Sequence, residues 1–474
     1  MRKFKRRQPH SLPFRLFLAV GGLLLLLTAP APRANAGSTG DWDFEDPLGS
    51  RPRPAPELLS QPEGVLINQP LASNYNPTLA LSVASGDQPG AFQPSQVDAN
   101  FSWTGVTAAG WNSPGNWSPS GPPGVGDTAL FDGPFINQPN LTIGATVGTL
   151  HMATGVVQNV TLSANPGAVL NISALGILGT GILVDNNNAF TLTITASLGI
   201  NNNQAWTNNS GNLFTVSGAN VSLSGNNLTV NGTGNTLISS IISGIPAGST
   251  LTKDGTGTLT LTGSNIYTRG TTVNGGTLLV NNTAGSGTGT GSVTVNNAGT
   301  TLGGTGTMTG AVTVNAGANI APGNGGNNTA ILTTGALTLA STSNFRVDIN
   351  GTTAGTGYDR LSVATGGVTI TGSNLVVTVG TTLSVGQTFT ILNKVAAGAI
   401  TGTFAQGSTV VGSDGTVFSV NYAGGDGNDI VLTVTAAPVP EPNTWIGGAL
   451  ATAGLAFSQR RRLRKVPILR YMFR

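Results

Sequence analysis

Apolar and polar residues alternate in short runs along most of this chain, and the alternation is clearest between Leu251 and Asn282. That stretch reads LTKDGTGTLTLTGSNIYTRGTTVNGGTLLVNN. Thr258–Leu261 and Thr277–Val280 each place apolar residues on one side and threonine on the other, the period of a half-buried strand. A glycine- and asparagine-rich corner separates them. A unit of this size cannot bury its own apolar side, so it has to stack on a neighbour that resembles it.

The neighbours are present. Gly291-Ser292-Val293-Thr294-Val295-Asn296 recurs as Gly310-Ala311-Val312-Thr313-Val314-Asn315, shifted by 19 residues, and Leu302 recurs as Ile320, shifted by 18. Strands at this period with no helical crossover imply a solenoid, each strand pairing in parallel with its equivalent one turn on. Valine and leucine then line the interior in rows, threonine faces out, and Asn296 and Asn315 align in a ladder of side-chain amides. Shorter runs at Thr191–Ile194, Val221–Leu223 and Leu228–Val230 extend the pattern towards the N-terminus. Beyond Ser341 the strands lengthen: Phe345–Ile349, Leu375–Val379, Thr388–Leu392, Val417–Tyr422 and Ile430–Val434. From Leu141 to Ala437 only Pro166, Pro246 and Pro322 interrupt, and no segment sustains a 3.6-residue period. The expectation is an all-β fold: a solenoid over 141–340, closed by a C-terminal β cap over 341–437.

Composition sharpens this. Of 474 residues 69 are glycine, and only 8% are charged, far below the usual quarter. The apolar share of 39% is too high for a polar disordered chain. The overall charge of +3 hides an uneven distribution. Residues 1–36 and 443–474 carry seven Lys/Arg each, while Gly37–Asn443 holds seven basic against 18 acidic residues, a net of −11. Outside the tails no basic patch exists, so nucleic acid is not an expected partner. There is no cysteine, which excludes disulfides, thiolate metal sites and cysteine nucleophiles. His10 and His151 are the only histidines, so a serine–histidine triad could draw only on His151 once the N-terminus is removed.

The tails carry addresses. Met1–Ala36 has a basic start, an apolar run from Leu16 to Leu27, and Ala34-Asn35-Ala36 as a small-x-small pattern, so a signal peptide is expected with cleavage between Ala36 and Gly37. Residues 37–97 hold nine of the 26 prolines and read as a linker. The acidic group Asp41, Asp43, Glu45 and Asp46 within it reads as a solvated tail. Residues 98–140 contain Trp103, Trp111 and Trp117, expected as an aromatic cap on the open end of the strand stack rather than as sugar-stacking rings.

These residues support two resemblances. Leu251–Asn282 resembles the autotransporter-associated β-strand repeat, close to LTKxGxGTLTLxGxNxYxGGTTVxxGTLxVN, with Arg269 where glycine is common. Trp111–Gly133 looks like the usual opening of such proteins; Leu302–Gly323, Tyr358–Val363 and Tyr422–Leu432 look like the usual close. The likeness implies a right-handed parallel β-helix on a bacterial surface. The C-terminus resembles the PEP-CTERM sorting signal over 438–465: Pro440-Glu441-Pro442, an apolar segment 445–457, then Arg460-Arg461-Arg462. The tail 466–474 extends past the point where such signals usually end. This likeness implies a short transmembrane helix and processing by an exosortase-type membrane protease, after a signal peptidase has acted. Taken alone, 13 apolar residues rise only about 20 Å as a helix.

Candidate chemistry is sparse. Gly424–Leu432 fits the calcium nonapeptide G-G-x-G-x-D-x-U-x once, with Asp426 and Asp429 as its carboxylates, and equally fits a turn into the last strand. No other metal, cofactor or catalytic residue is expected. Polysaccharide lyases and hydrolases built on β-helices need clustered carboxylates, and Asp348, Asp359 and Arg360 are the nearest group. The leading expectation is a non-enzymatic, exported structural or adhesive protein. It would lie on the cell surface or in the extracellular matrix, transiently anchored in the inner membrane and contacting exopolysaccharide. A carbohydrate-active β-helix enzyme is one alternative. An autotransporter passenger is another, which would need a large C-terminal membrane β-barrel where only about 40 residues follow Leu432.

Overall fold

The computed structural model describes residues 18–20, 23–25, 98–175, 179–244, 248–438 and 442–463. The chain forms two compact units, Met1–Asp87 and Gln88–Arg474. In the first, Leu18–Val20 pairs antiparallel with Leu23–Leu25. The expected cleavage residues Ala34, Ala36 and Gly37, and the linker at 37–97, lie outside the described residues.

The second unit is a parallel β-solenoid. Two sheets run along it, one of 14 strands and one of 11. The repeat read from the sequence is the stacking period: Val293 pairs with Val312 and Leu302 with Ile320. The strands of the opening stretch take their expected places, with Thr258–Leu261 and Thr277–Val280 in register in the 11-stranded sheet. Strand limits moved by a residue or two elsewhere, for example Leu192–Ile194, Asn220–Ser222 and Asp429–Ala436.

Alternation decides what is inside. In the 14-stranded sheet Val230, Lys253, Val273, Val295, Val314, Leu339 and Ile370 fall in one buried inward row. Leu259, Leu278, Leu302, Ile320, Phe345 and Leu375 form the facing row of the other sheet. Each such aliphatic side chain taken from water contributes about 1.5–3 kcal/mol, so the stack is held by its continuous apolar interior.

A third face closes the coil, and it changes character along the axis. Over the first turns it is a five-stranded sheet from Ala145–Val147 to Ile241–Ser243. At the next turn a side chain substitutes for the strand: Asn265 Oδ1 accepts from Ile242 N at 2.8 Å, and Asn265 Nδ2 donates to Gly287 O at 2.6 Å. The face continues through Gly287 N to Thr307 O and Met308 N to Thr333 O. It becomes a sheet again at Ile331–Thr334, which opens a six-stranded sheet that includes the antiparallel pair Val417–Gly424 and Asp429–Ala436 and ends on Thr409–Val411.

Both ends of the interior are covered, as an open sheet edge would template further pairing. At the start, Trp103, Trp111 and Trp117 pack into one buried cluster, with Trp117 ring centroids 4.9 Å and 4.7 Å from the other two. At the far end the last strand of the 11-stranded sheet, Asn374–Val379, is capped by side chains. Leu375 N donates to Gln406 Oε1 at 3.1 Å, and Val379 N donates to Ser413 Oγ at 2.9 Å.

The apolar segment near the C-terminus is helical, within a helix spanning Pro442–Leu463. One expectation is corrected here. No helix among the described residues is long and apolar enough to cross a membrane. The helix has 22 residues, but Ser458, Gln459 and Arg460–Arg462 occupy its last turns, leaving an apolar stretch shorter than the hydrocarbon thickness.

Candidate functional site

The carboxylate pair comes together through strand pairing and a loop. Asp348 lies in Asn344–Ile349, and the chain folds back so that Asp359 N donates to Asp348 O at 2.9 Å. Asp359 is almost fully buried. Its Oδ1 accepts from Ala330 N at 2.8 Å and its Oδ2 from Asp348 N at 3.0 Å. Burial pushes the Asp359 carboxyl up to about 7, against the backbone bonds that favour its charged form. Burial also raises Asp348, opposed by Thr378 and Arg346. Both Asp359 oxygens are thus taken by backbone amides. The carboxylate ties the turn containing Ala330 to the base of the 350–358 loop, and the arrangement is that of a clasp. Arg360, the third residue of the group, leaves its buried Nε without a protein partner.

The second carboxylate candidate is a hairpin turn. Gly425 and Gly427 adopt positive φ (57° and 100°) between the two last antiparallel strands. Asp426 is exposed on that turn. Asp429 is buried, with Oδ1 accepting from Lys394 N at 2.9 Å, and its carboxylate lies over Gly425, where an added Cβ would meet it. Asp426 thus points to solvent while Asp429 is held by the neighbouring strand. No group of three or more metal-ligating carboxylates or imidazoles occurs among the described residues.

His151 sits in Thr149–Met152 with Nε2 3.1 Å from Asp185 Oδ1, both side chains about a quarter exposed. No hydroxyl bonds to it among the described residues. The three tryptophans present no ring face for a sugar, since they are packed on one another and buried. Of the sorting residues, Pro440 and Glu441 lie outside the described residues. Pro442 starts the C-terminal helix, and Arg460, exposed, Arg461 and Arg462 lie in its last turns.

The amide ladder is real and longer than the repeat alone indicated. Asn315 Nδ2 donates to Asn296 Oδ1 at 2.6 Å, Asn296 Nδ2 to Asn274 Oδ1 at 2.9 Å, and Asn274 Nδ2 to Asp254 Oδ1 at 3.0 Å. A chain of amides is thereby polarised onto one carboxylate. Beside it runs a row of threonines facing outward from the same sheet.

Lys253 ties coils together from inside the shaft. It occupies an inward position between Val230 and Val273, 2% exposed. Its Nζ donates to Asp254 O at 2.6 Å, Gly255 O at 3.0 Å and Gly275 O at 3.1 Å, binding one turn of the shaft to the next. Burial lowers its ammonium to about 8, opposed by neighbouring Asp254. Lys394 repeats the device, its buried Nζ donating to the carbonyls of Ala396, Ala397 and Gly398. The available signal was position: Lys253 stands where the alternation requires an apolar residue.

Residues 251–280 match the family model of the passenger-associated-transport-repeat. The matched segment contains four strands, Leu251–Lys253, Thr258–Leu261, Thr271–Val273 and Thr277–Val280, and so two successive turns of the shaft. No curated protein matches the chain. The repeat type, together with the long parallel sheets, supports an exported, passenger-like protein of the cell exterior.

Proposed function

We propose that this chain is a non-enzymatic structural and adhesive protein of the bacterial surface or extracellular matrix, its solenoid serving as a shaft. The observation that carries this reading is the union of a passenger-type repeat with a stack whose two best-ordered outward rows are threonine and amide. Buried charges within the shaft and its cap are spent on backbone: Asp359, Asp429, Lys253 and Lys394 each bond peptide groups. In this reading exopolysaccharide is the partner of the outward surface. The N-terminal segment directs export. The helix at Pro442–Leu463, with its arginine cluster, serves an exosortase-type membrane protease that anchors or releases the product.

Cell fractionation with mass spectrometry of both mature termini tests the reading. The expected product is found outside the cytoplasm, begins at Gly37 and lacks Arg460–Arg474. Released protein that still carries Arg460–Arg474 would overturn the sorting step. A second reading, a carbohydrate-active β-helix enzyme, draws on one observation, the Asp359 carboxyl raised to about 7 as a general acid requires. A polysaccharide turnover screen separates the two, with activity abolished by Asp359→Ala deciding for the enzyme.

A further inference from the structure

One outward row of the 14-stranded sheet is threonine without a break. Thr229, Thr252, Thr272, Thr294, Thr313, Thr338, Thr369 and Thr401 are partners in consecutive strands. Parallel strands lie about 4.8 Å apart, so the eight hydroxyls line about 34 Å of the shaft. Composition does not force this. On the 11-stranded sheet the equivalent outward row reads Thr193, Thr215, Leu237, Thr260, Leu279, Gly303 and Ala321.

A second observation concerns what these hydroxyls bond. None of the eight has a side-chain hydrogen-bond partner among the described residues. Other threonines near them do: Thr271 is paired with Tyr267 Oη at 2.6 Å, and Thr371 donates to Leu339 O at 3.0 Å. The row therefore keeps a donor and two acceptor lone pairs at every step. In the parallel amide row, Asn274 and Asn296 each use one donor and one acceptor within the ladder, Asn315 uses one donor, and the rest are kept. Asp254 is the one charged side chain in the two rows, and it is already bonded by Asn274.

We propose that this strip is the docking site for a neutral, extended polysaccharide chain lying along the shaft axis. The inference rests on the surface reading above and names the partner of that surface. Three features select the occupant. The strip is one-dimensional, with one hydroxyl per coil, which suits a linear polymer. Its only charged side chain is the carboxylate of Asp254, within a central segment of net acidic charge, which disfavours uronate, sulfated and nucleic acid chains. Its groups are hydroxyls and amides, which exchange hydrogen bonds with sugar hydroxyls at little net gain each, so affinity comes from the number of registered contacts.

The test is depletion of the mature chain from solution onto insoluble neutral β-linked glucan, with an insoluble polyuronate and DNA-coated beads as separate arms. Wild-type protein should bind the neutral glucan and leave the other two. The variant Thr272→Val/Thr294→Val/Thr313→Val/Thr338→Val keeps the β-branched shape and strand propensity, and should weaken binding at least tenfold. The matched variant on the other sheet, Thr193→Val/Thr215→Val/Thr260→Val, should bind as wild type. Retained circular dichroism and melting of both variants separates lost docking from lost fold. Unchanged binding by the first variant, equal loss by the second, or preference for the polyuronate or DNA would each overturn the proposal. Absence of glucan binding by a chain that fractionation places outside the cell would overturn the proposal and leave the shaft reading standing.

Discussion

Removing the Asp359 carboxylate tests whether it is a clasp. In Asp359→Ala, the Ala330 N–H loses an acceptor at 2.8 Å and the Asp348 N–H one at 3.0 Å. Ala330 and Asp359 are buried, 4% and 1% exposed, and Asp348 is half-buried. An orphaned buried amide costs about 1–3 kcal/mol, and with the second amide at a half-buried residue the two together cost at least about 2 kcal/mol of local stability. Since 2 kcal/mol is roughly a 30-fold change in an opening equilibrium, hydrogen exchange at the amides of 330 and 348 should accelerate by at least that factor. Exchange in the coils around Thr272 and Thr294 should stay as in the wild type, because a solenoid turn contacts only its neighbours. Asp359→Asn, which keeps one acceptor oxygen, should fall between. The pH dependence has a definite sign. Burial raises the folded carboxyl to about 7, so the folded chain holds this proton more tightly than the unfolded one. The resulting stabilisation is complete below the ordinary carboxylate range and is lost as pH rises through about 7. Local stability should therefore decline between about pH 4 and pH 7, and Asp359→Asn should reduce that slope, leaving the share that comes from the raised Asp348. Unchanged protection at both amides in Asp359→Ala, with the fold intact by circular dichroism, would refute the clasp.

Three further outcomes follow from the same geometry. Lys253→Met leaves three carbonyls without their shared donor and should cost about 1–3 kcal/mol at neutral pH. The folded ammonium is lowered to about 8 from 10.5, so wild-type stability should rise as pH climbs through that interval, a slope the methionine variant lacks in thermal melts. Asn296→Ala cuts both ladder links at once and should destabilise the half-exposed row by about 1 kcal/mol, with a double-mutant cycle against Asn315→Ala showing non-additivity. At Gly310 an added Cβ would meet the backbone oxygen of Gly291 at 1.9 Å. Gly310→Ala should therefore prise two coils apart, lowering stability by about 1–3 kcal/mol and raising exchange in Val293–Val295 and Val312–Val314.

Strand alternation and the 19-residue repeat were enough to specify a solenoid, its inward valines and leucines, its outward threonines and the contact between Asn296 and Asn315. Those features are local or strictly periodic, so the period of the side chains carries them. What escaped the sequence depends on which distant residues a turn brings together. Asp359 was legible as a carboxylate near Asp348, but not as the acceptor of an amide from Ala330 in the preceding turn. Lys253 broke the apolar pattern, yet only its three carbonyl neighbours, one of them 22 residues away, explain how an ammonium is tolerated inside. The apolar segment before Arg460 was read as membrane-spanning from its place in a motif, and the helix it forms is too short in apolar length. The threonines were each expected to face out. That eight of them meet in one unbroken row, while the other sheet alternates threonine with leucine and glycine, was decided by coil lengths. Each insertion or deletion at a corner resets which residue is stacked on which, and no strand contains that information.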